Sequence, residues 1–404
     1  MSDLLAVEAA DVYKKDRLAG RLVRRADVVE FAYLDDYAAA GLPAVARTLS
    51  LGGGPVRAAG GAVPPFFAGL LPEGARLTAL TRRLKTSADD MLGLLLAVGA
   101  DTVGDVRVVA AGSPPEEPPP LAAAERWEEA DFAVLFARSV GLDPAASDRV
   151  ALPGVQVKVS AEVVSFPVAR GGSRWILKLE PDGYPRLVEN EAFFLSMAGE
   201  AGLRVPEFAL VHDRRGRSGL LVRRFDRVER GGGVLRLAQE DACQLLGRYP
   251  ADKYRLSYQE VARAVVEEST VPIVDALELV VLIAFSYLIG NGDLHAKNVS
   301  VGETPAGDRR LTPAYDLLST LAYVGDDPMA LRLDGRDRSL TRRHFLEFGS
   351  RLGVRERALA HRIDRLRDVA AARVPRLPEI GLDGRVTGRL QRELAARRDA
   401  LGAD

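Results

Sequence analysis

Apolar and polar positions alternate differently along the two halves of the chain. Near the start, Ala6-Val-Glu-Ala and Ala10-Asp-Val-Tyr-Lys repeat every two residues, Gly20-Arg-Leu-Val-Arg reads as a hairpin partner, and Val28 to Leu34 is a further strand. A helix opens at Pro64-Pro-Phe-Phe-Ala-Gly-Leu-Leu-Pro-Glu-Gly74 and breaks at Pro72. Ser87-Ala-Asp-Asp-Met-Leu-Gly-Leu-Leu-Leu offers Ser87 as an N-cap, with an acid at the third helical position. The few polar residues of this region form no constellation. Gly112-Ser-Pro-Pro-Glu-Glu-Pro-Pro-Pro120 packs as neither helix nor strand and reads as a linker. No internal repeat is found.

Beyond the linker, Arg126 to Ala137 predicts a short amphipathic helix. Leu152-Pro-Gly-Val-Gln-Val-Lys-Val-Ser160 and Val163-Val-Ser-Phe-Pro-Val168 predict two strands entered through a glycine turn. That turn could lie over phosphates, or be an ordinary hairpin. Trp175-Ile-Leu-Lys-Leu179 is a strand carrying one lysine, followed by a helix from Glu189. Val205 to Asp213 and Ser218 to Val222 form a hairpin around Arg214-Arg-Gly-Arg217, and helices dominate from Ala238 onward. The resulting division is 1–111, a small mixed subdomain; 112–120, the linker; 121–228, a strand-rich region; and 229–404, a helical lobe.

Composition narrows the class. The chain has 404 residues, 47% hydrophobic and 27% charged, with a net charge of −1, as an ordinary globular protein of two or three domains has. So balanced a chain has no global basic field to hold nucleic acid unaided. The arginines crowded from Arg338 to Arg376 alternate with acids and read as solvated helix faces. Cys243, the single cysteine, forms no intrachain disulfide and sits in a helical pattern as a core residue. The start lacks a signal-peptide pattern, and the apolar runs read as too short or too polar to cross a bilayer, so a cytoplasmic location is expected with no membrane contact.

The chemistry concentrates in Ile289-Gly-Asn-Gly-Asp-Leu-His-Ala-Lys-Asn-Val-Ser300. A buried helix, Ala276 to Ile289, ends in a glycine turn that presents Asp293, His295, Lys297 and Asn298 within six residues. Protein kinases show a similar order, a catalytic-loop Asp followed five residues later by a metal-binding Asn. One carboxylate reaches the acceptor hydroxyl, and a turn later an amide oxygen reaches Mg2+ on the phosphates. Lys178 reads either as an edge-strand lysine or as the phosphate-contacting strand lysine, with Glu191 (or Glu189) from the next helix as its partner. Arg223-Arg-Phe-Asp-Arg227 falls where a kinase-like chain crosses between lobes. There, backbone groups can bind adenine and Asp226 a ribose hydroxyl. Asp316, after a short strand in Leu311-Thr-Pro-Ala-Tyr-Asp-Leu-Leu-Ser319, is expected as a second metal carboxylate rather than a helix cap. Zinc does not suit four scattered histidines and one cysteine.

With these residues assembled, the chain resembles the HipA family of bacterial serine/threonine kinases, the toxins of HipBA toxin–antitoxin modules. Phe66 to Gly74 and Val98-Gly-Ala-Asp-Thr-Val-Gly104 look like its N-terminal subdomain, and Gly154-Val-Gln-Val-Lys158 like its phosphate loop. Leu237-Ala-Gln-Glu-Asp-Ala-Cys-Gln244, Asp293-Leu-His-Ala-Lys-Asn298 and Pro313-Ala-Tyr-Asp-Leu-Leu-Ser319 look like its C-terminal domain. The resemblance implies an α+β, protein-kinase-like two-lobed fold with a small mixed N-terminal subdomain and a mainly helical C-terminal lobe. It implies ATP and Mg2+, with Asp293 as base and Asn298 and Asp316 as metal ligands. It places Val155, Gln156, Lys158, Lys178 and Lys297 among the nucleotide contacts, Arg223, Arg224 and Phe225 at the adenine hinge, and Asp226 and His295 near the ribose. The family's partners are a HipB-like helix-turn-helix antitoxin, which binds operator DNA, and protein substrates that include aminoacyl-tRNA synthetases. Two residues depart from it: Ala151 stands where some members autophosphorylate a serine, with Ser160 nearby, and Arg223 stands where relatives often carry Glu. A small-molecule kinase and a decayed antitoxin-binding scaffold remain the competing readings.

Overall fold

The computed structural model describes residues 7–116, 122–123, 126–139, 164–170, 173–180, 183–231, 233–325 and 328–402. The glycine turn at Gly154, with Ala151, Val155, Gln156, Lys158 and Ser160, lies outside the described residues.

The N-terminal region is built on strands β1 (Ala9–Lys14), β2 (Arg17–Arg25), β3 (Val28–Tyr33), β4 (Val56–Ala58) and β5 (Val106–Ala110), an antiparallel sheet in the order β4-β3-β2-β1-β5. Ala10 pairs with Leu22 and Leu22 with Phe31, so one row of side chains runs across three strands on a single face. All three are buried, with Phe66, Phe67 and Leu94 in the same cluster. Helix α1 (Asp35–Ala39) crosses one end of the sheet. The expected break at Pro72 separates α2 (Pro65–Gly69) from α3 (Gly74–Leu84). Helix α4 (Met91–Val98) corrects the Ser87 cap. The helix starts later, because the Asp90 carboxylate accepts from the Gly93 N–H, while the Ser87 hydroxyl accepts from the Asp89 N–H and donates to the Asp89 carboxylate.

The second sheet comprises β6 (Ala122–Ala123), β7 (Val164–Arg170), β8 (Ser173–Leu179), β9 (Phe208–His212) and β10 (Ser218–Arg223), ordered β6-β7-β8-β10-β9. Between β6 and β7 the predicted helix from Arg126 is two elements, a 3-10 turn at Trp127–Glu129 and α5 (Phe132–Ser139). Asp131 divides them, its carboxylate accepting from Ala133 and Val134 N–H. Trp127, Phe132, Leu177 and Leu221 fill this region's core. Helix α6 (Leu187–Glu200) joins β8 to β9 and packs its buried side into the next core.

That core is the C-terminal one. A hairpin, β11 (Arg227–Arg230) and β12 (Gly233–Arg236), leads to a small sheet of β13 (Gln239–Asp241), β14 (Ser300–Glu303) and β15 (Arg309–Leu311). Around them lie α7 (Ala242–Leu245), α8 (Tyr258–Glu268), α9 (Pro272–Ile289), α10 (Arg342–Arg351), α11 (Glu356–Arg373) and α12 (Gly384–Ala400). Helix α9 is the pivot, with every residue from Leu279 to Ile289 buried. It also corrects the expectation that no apolar run could span a bilayer: its 18 residues, at mean hydropathy 2.1, have the required length and composition. Most of its apolar surface, from Leu279 onward, is covered by the surrounding structure, the position of a core helix. Proline at its first turn and Gly290, at φ +66° against the Leu321 side chain, set its ends. Cys243 is buried as expected, and burial pushes its thiol up to about 12. Several of the C-terminal arginines pair with local acids, Arg343 with Glu347 and Arg376 with Glu379.

Candidate active site

All three regions meet at a cleft of about 410 Å³. Its walls include Ile176 and Lys178 from β8, Arg223 to Asp226 after β10, His295, Lys297 and Asn298 after α9, and Tyr315 and Asp316 after β15. The N-terminal region contributes Gly69 to Glu73, Arg76 and Asp101 to Val103. Sequence reasoning assigned nothing of the kind to that region. The signal was present in the Leu-Leu-Pro-Glu turn, but a single acid shows its use only once its lysines are brought to it.

The loop after α9 is locked by its own backbone. Asn291 Oδ1 accepts from Asp293 N–H at 2.9 Å, the Asp293 carbonyl accepts from Asn298 Nδ2 at 2.9 Å and from His295 N–H at 2.8 Å, and Gly292 N–H donates to the Thr320 hydroxyl. Asn298's amide is thereby oriented nitrogen-inward, leaving Oδ1 as its oxygen donor. Asp293 is 1% exposed and does not itself line the cleft; its Oδ1 accepts from the Tyr254 hydroxyl at 2.5 Å. Tyr254, far away in sequence, is a contact no spacing could reveal, and its ring also meets His295 edge-on. Burial and then nearby Lys253 drive His295 down to about 3, so its imidazole is neutral throughout the physiological range.

Lys178 donates to Glu191 at 2.6 Å and to Asp316. The strand–helix pairing is therefore with Glu191; Glu189 instead takes Arg186 and Ser218. Burial alone would lower the Lys178 pKa, but Asp316 and Glu191 outweigh it and raise it, so the ammonium stays charged. Asp316 sits at φ +53° in an irregular segment, with no helix for it to cap. Its side chain is 31% exposed. Asp316 and the Asn298 amide supply one carboxylate and one oxygen-oriented amide facing the cleft. That donor set fits magnesium, which draws its remaining ligands from phosphate and water.

At the interlobe crossing, Arg223 N–H donates to Glu207 O and Arg224 N–H to Arg174 O, whereas Phe225 N–H has no such partner among the described residues. Phe225's ring stands 6.0 Å from Tyr315's. Asp226 borders the cleft and is also held by the protein. Its carboxylate accepts from Arg224 Nε and Nη2, Arg227 Nη1 and Gly104 N–H, all within 2.9 Å, and it is 5% exposed. Three of these four bonds fall on Oδ2 and one on Oδ1. Asp101, also missed from sequence, completes this group by pairing with Arg224 and Arg227. Lys297 is held by Glu73 at 2.9 Å and Gly69 O at 3.2 Å, with Asp241 at 3.8 Å, and Glu73 also takes Lys253.

A two-lobed α+β fold, with a charged strand lysine, its helix glutamate and an Asp–Asn loop sharing one cleft, is that of the protein-kinase-like class. Residues 150–374 match the profile of the HipA-like C-terminal domain and residues 10–109 that of the HipA N-terminal domain. The chain belongs to the HipA family. Y4dM of Sinorhizobium fredii, named only as a kinase, is 33% identical over 67% of this chain and 65% of its own length. The serine/threonine-protein kinase toxin HipA of Shewanella oneidensis is 28% identical over 80% of this chain and 78% of that one. A solved complex of Shewanella oneidensis HipA, HipB and operator DNA matches with a TM-score of 0.72 and 25% identity, over 97% of both chains.

Proposed function

We propose that this chain is a serine/threonine protein kinase that transfers the γ-phosphate of ATP to a protein hydroxyl, acting as the toxin of a HipBA-type pair. The observation that carries the reading is Lys178, held by both Glu191 and Asp316 in the cleft that Asn298 and His295 line. The acceptor hydroxyl gives its proton to the Asp293 carboxylate as its oxygen attacks the γ-phosphorus, and ADP leaves. Tyr254 fixes the carboxylate's orientation. Lys178 neutralises phosphate charge, and Phe225 N–H offers the hinge contact for adenine. Neutral His295 faces the ribose as a hydrogen-bonding group rather than a cation. Asp226 acts on the hinge, by fixing Arg224. When bound, Mg2+ on Asn298 and Asp316 supplies further positive charge to the phosphates.

The partner is a HipB-like helix-turn-helix antitoxin, with operator DNA reached through it, and the likeness to the HipA complex supports that partner; the substrate proposed is an aminoacyl-tRNA synthetase, as the resemblance to the family implies. The test is transfer of γ-labelled phosphate from Mg-ATP to purified synthetases and to the chain itself. Asp293→Asn is expected to lower transfer by about 10² to 10⁴-fold at unchanged melting temperature. Undiminished transfer in that variant would remove Asp293 from the chemistry. ATP binding without any transfer would favour a small-molecule kinase or a decayed scaffold.

A further inference from the structure

The N-terminal region reaches into the cleft through Glu73, at the N-cap position of α3. Its carboxylate takes two ammonium groups, Lys253 and Lys297. Lys297 has three N–H donors. Its ammonium pairs with Glu73 at 2.9 Å and donates to the Gly69 carbonyl, both from the N-terminal region, and Asp241, at 3.8 Å, is the nearest acid of its own lobe. The docking around this contact is tight. Gln244 Nε2 donates to Phe66 O at 2.9 Å, and a Cβ on Gly69 would stand 2.6 Å from the Gln244 side chain. Lys297 also precedes Asn298, and its carbonyl accepts from the Tyr315 hydroxyl one residue before Asp316. The electrostatics agree with the geometry. Burial would raise Glu73, but Lys297 and Lys253 overcome it and hold the carboxyl down to about 2, so it stays ionised.

We propose that Glu73 is a positioning residue of the nucleotide site. Through this one carboxylate the N-terminal region sets where the Lys297 ammonium stands, and so how the cleft receives phosphate. The region is then a working part of the catalytic cleft rather than a cover for it. This rests on the reading of the cleft as an ATP site, and two measurements on the full-length chain separate the two ideas. The first is acylation of Lys297 in the ligand-free protein by an amine-reactive ester, read by peptide mass spectrometry. The second is affinity for Mg-ATP by calorimetry, with KM and kcat where transfer is seen.

With Glu73→Gln, the loss of the counter-charge is expected to speed Lys297 acylation several-fold. It should weaken ATP binding at least five-fold, chiefly through KM, at a melting temperature within a few degrees of wild type. Glu73→Asp, which keeps the charge, should recover most of both. Wild-type acylation and affinity in Glu73→Gln would overturn the assignment. So would a fall in affinity that tracks a fall in melting temperature and that Glu73→Asp does not rescue, since Glu73 would then only stabilise the fold. If wild-type chain binds no ATP, the proposed function falls, and the acylation rates alone decide whether Glu73 positions Lys297.

Discussion

Two buried ionic groups border the cleft, each of basic side chains set against carboxylates. In one, Lys178 bridges Glu191, 3% exposed at its side chain, and Asp316, 31% exposed. In the other, Arg224 and Arg227 close around Asp226 and Asp101, and no side chain is more than 8% exposed. The first has an open side: Asp316 faces the cleft on a backbone that forms neither helix nor strand. The second is closed on itself. Guanidinium groups hold the Asp226 oxygens from two sides, which suits keeping a chain crossing in shape at the edge of the cleft. The difference lies in access, not in charge.

The largest effect follows from emptying the open group. Lys178→Met leaves Glu191 buried without its cation, at a cost of about 3 kcal/mol in urea unfolding, and transfer falls with it. Adding Glu191→Gln should return part of the stability and none of the activity. Recovery of both would mean that Lys178 serves packing alone.

Next comes Asp226→Asn, which loosens the closed group. Burial would raise Asp226, but Arg224 and Arg227 hold it down to about 2. An acid whose folded pKa is depressed contributes stability above its unfolded value of about 4, lost as pH falls through 2. The variant should therefore lose about 2 kcal/mol at pH 7 and show a flatter acid limb below pH 4, with ATP affinity reduced far less than by Lys178→Met. An equal loss of affinity at unchanged stability would return Asp226 to the ribose.

How far the sequence foretold these two groups depends on how local each is. The Asp293–Asn298 loop, the Lys178 strand and the Glu191 helix were legible because each is a short pattern whose spacing has a mechanical meaning. The cap of α4 slipped by one polar residue to the next because Ser87 and Asp90 both satisfy the rule, and only the fold chooses between them. Glu73, Asp101 and Tyr254 carry no local pattern. Their partners lie 224, 123 and 39 residues away for Lys297, Arg224 and Asp293, and long-range pairing of that kind is set by how three cores dock. Asp226 was legible only in part for a related reason: a carboxylate at a hinge announces its position, not the protein donors it already accepts from.

A smaller effect lies outside both groups. Glu240, on β13, accepts from Arg47 N–H of the N-terminal region at 3.0 Å. Burial, only partly offset by that bond, pushes it up to about 7. For an acid with a raised folded pKa the sign reverses: stability is fullest below about pH 4 and declines as pH rises through 7. Glu240→Gln should thus match wild type at pH 4 and melt a few degrees higher at pH 8. No gain at pH 8 would mean that the docked carboxylate is well solvated.

The smallest effect is expected at Arg223, on the surface side of the crossing. Its guanidinium is 42% exposed at the side chain and meets Glu207 and Glu229 on the surface, pairs worth about 0 to 1 kcal/mol. Its N–H is already given to Glu207 O, so the crossing's available donor is Phe225 N–H, whose position depends on the closed group behind it rather than on the Arg223 side chain. Arg223→Ala should therefore change ATP affinity less than about two-fold and stability by no more than about 0.5 kcal/mol. Arg223→Glu puts a third carboxylate beside Glu207 and Glu229 and should cost a little stability through like-charge repulsion without tightening ATP. A several-fold gain in affinity for that variant would mean that adenine is read by a side chain at this position and that the natural arginine has weakened the site.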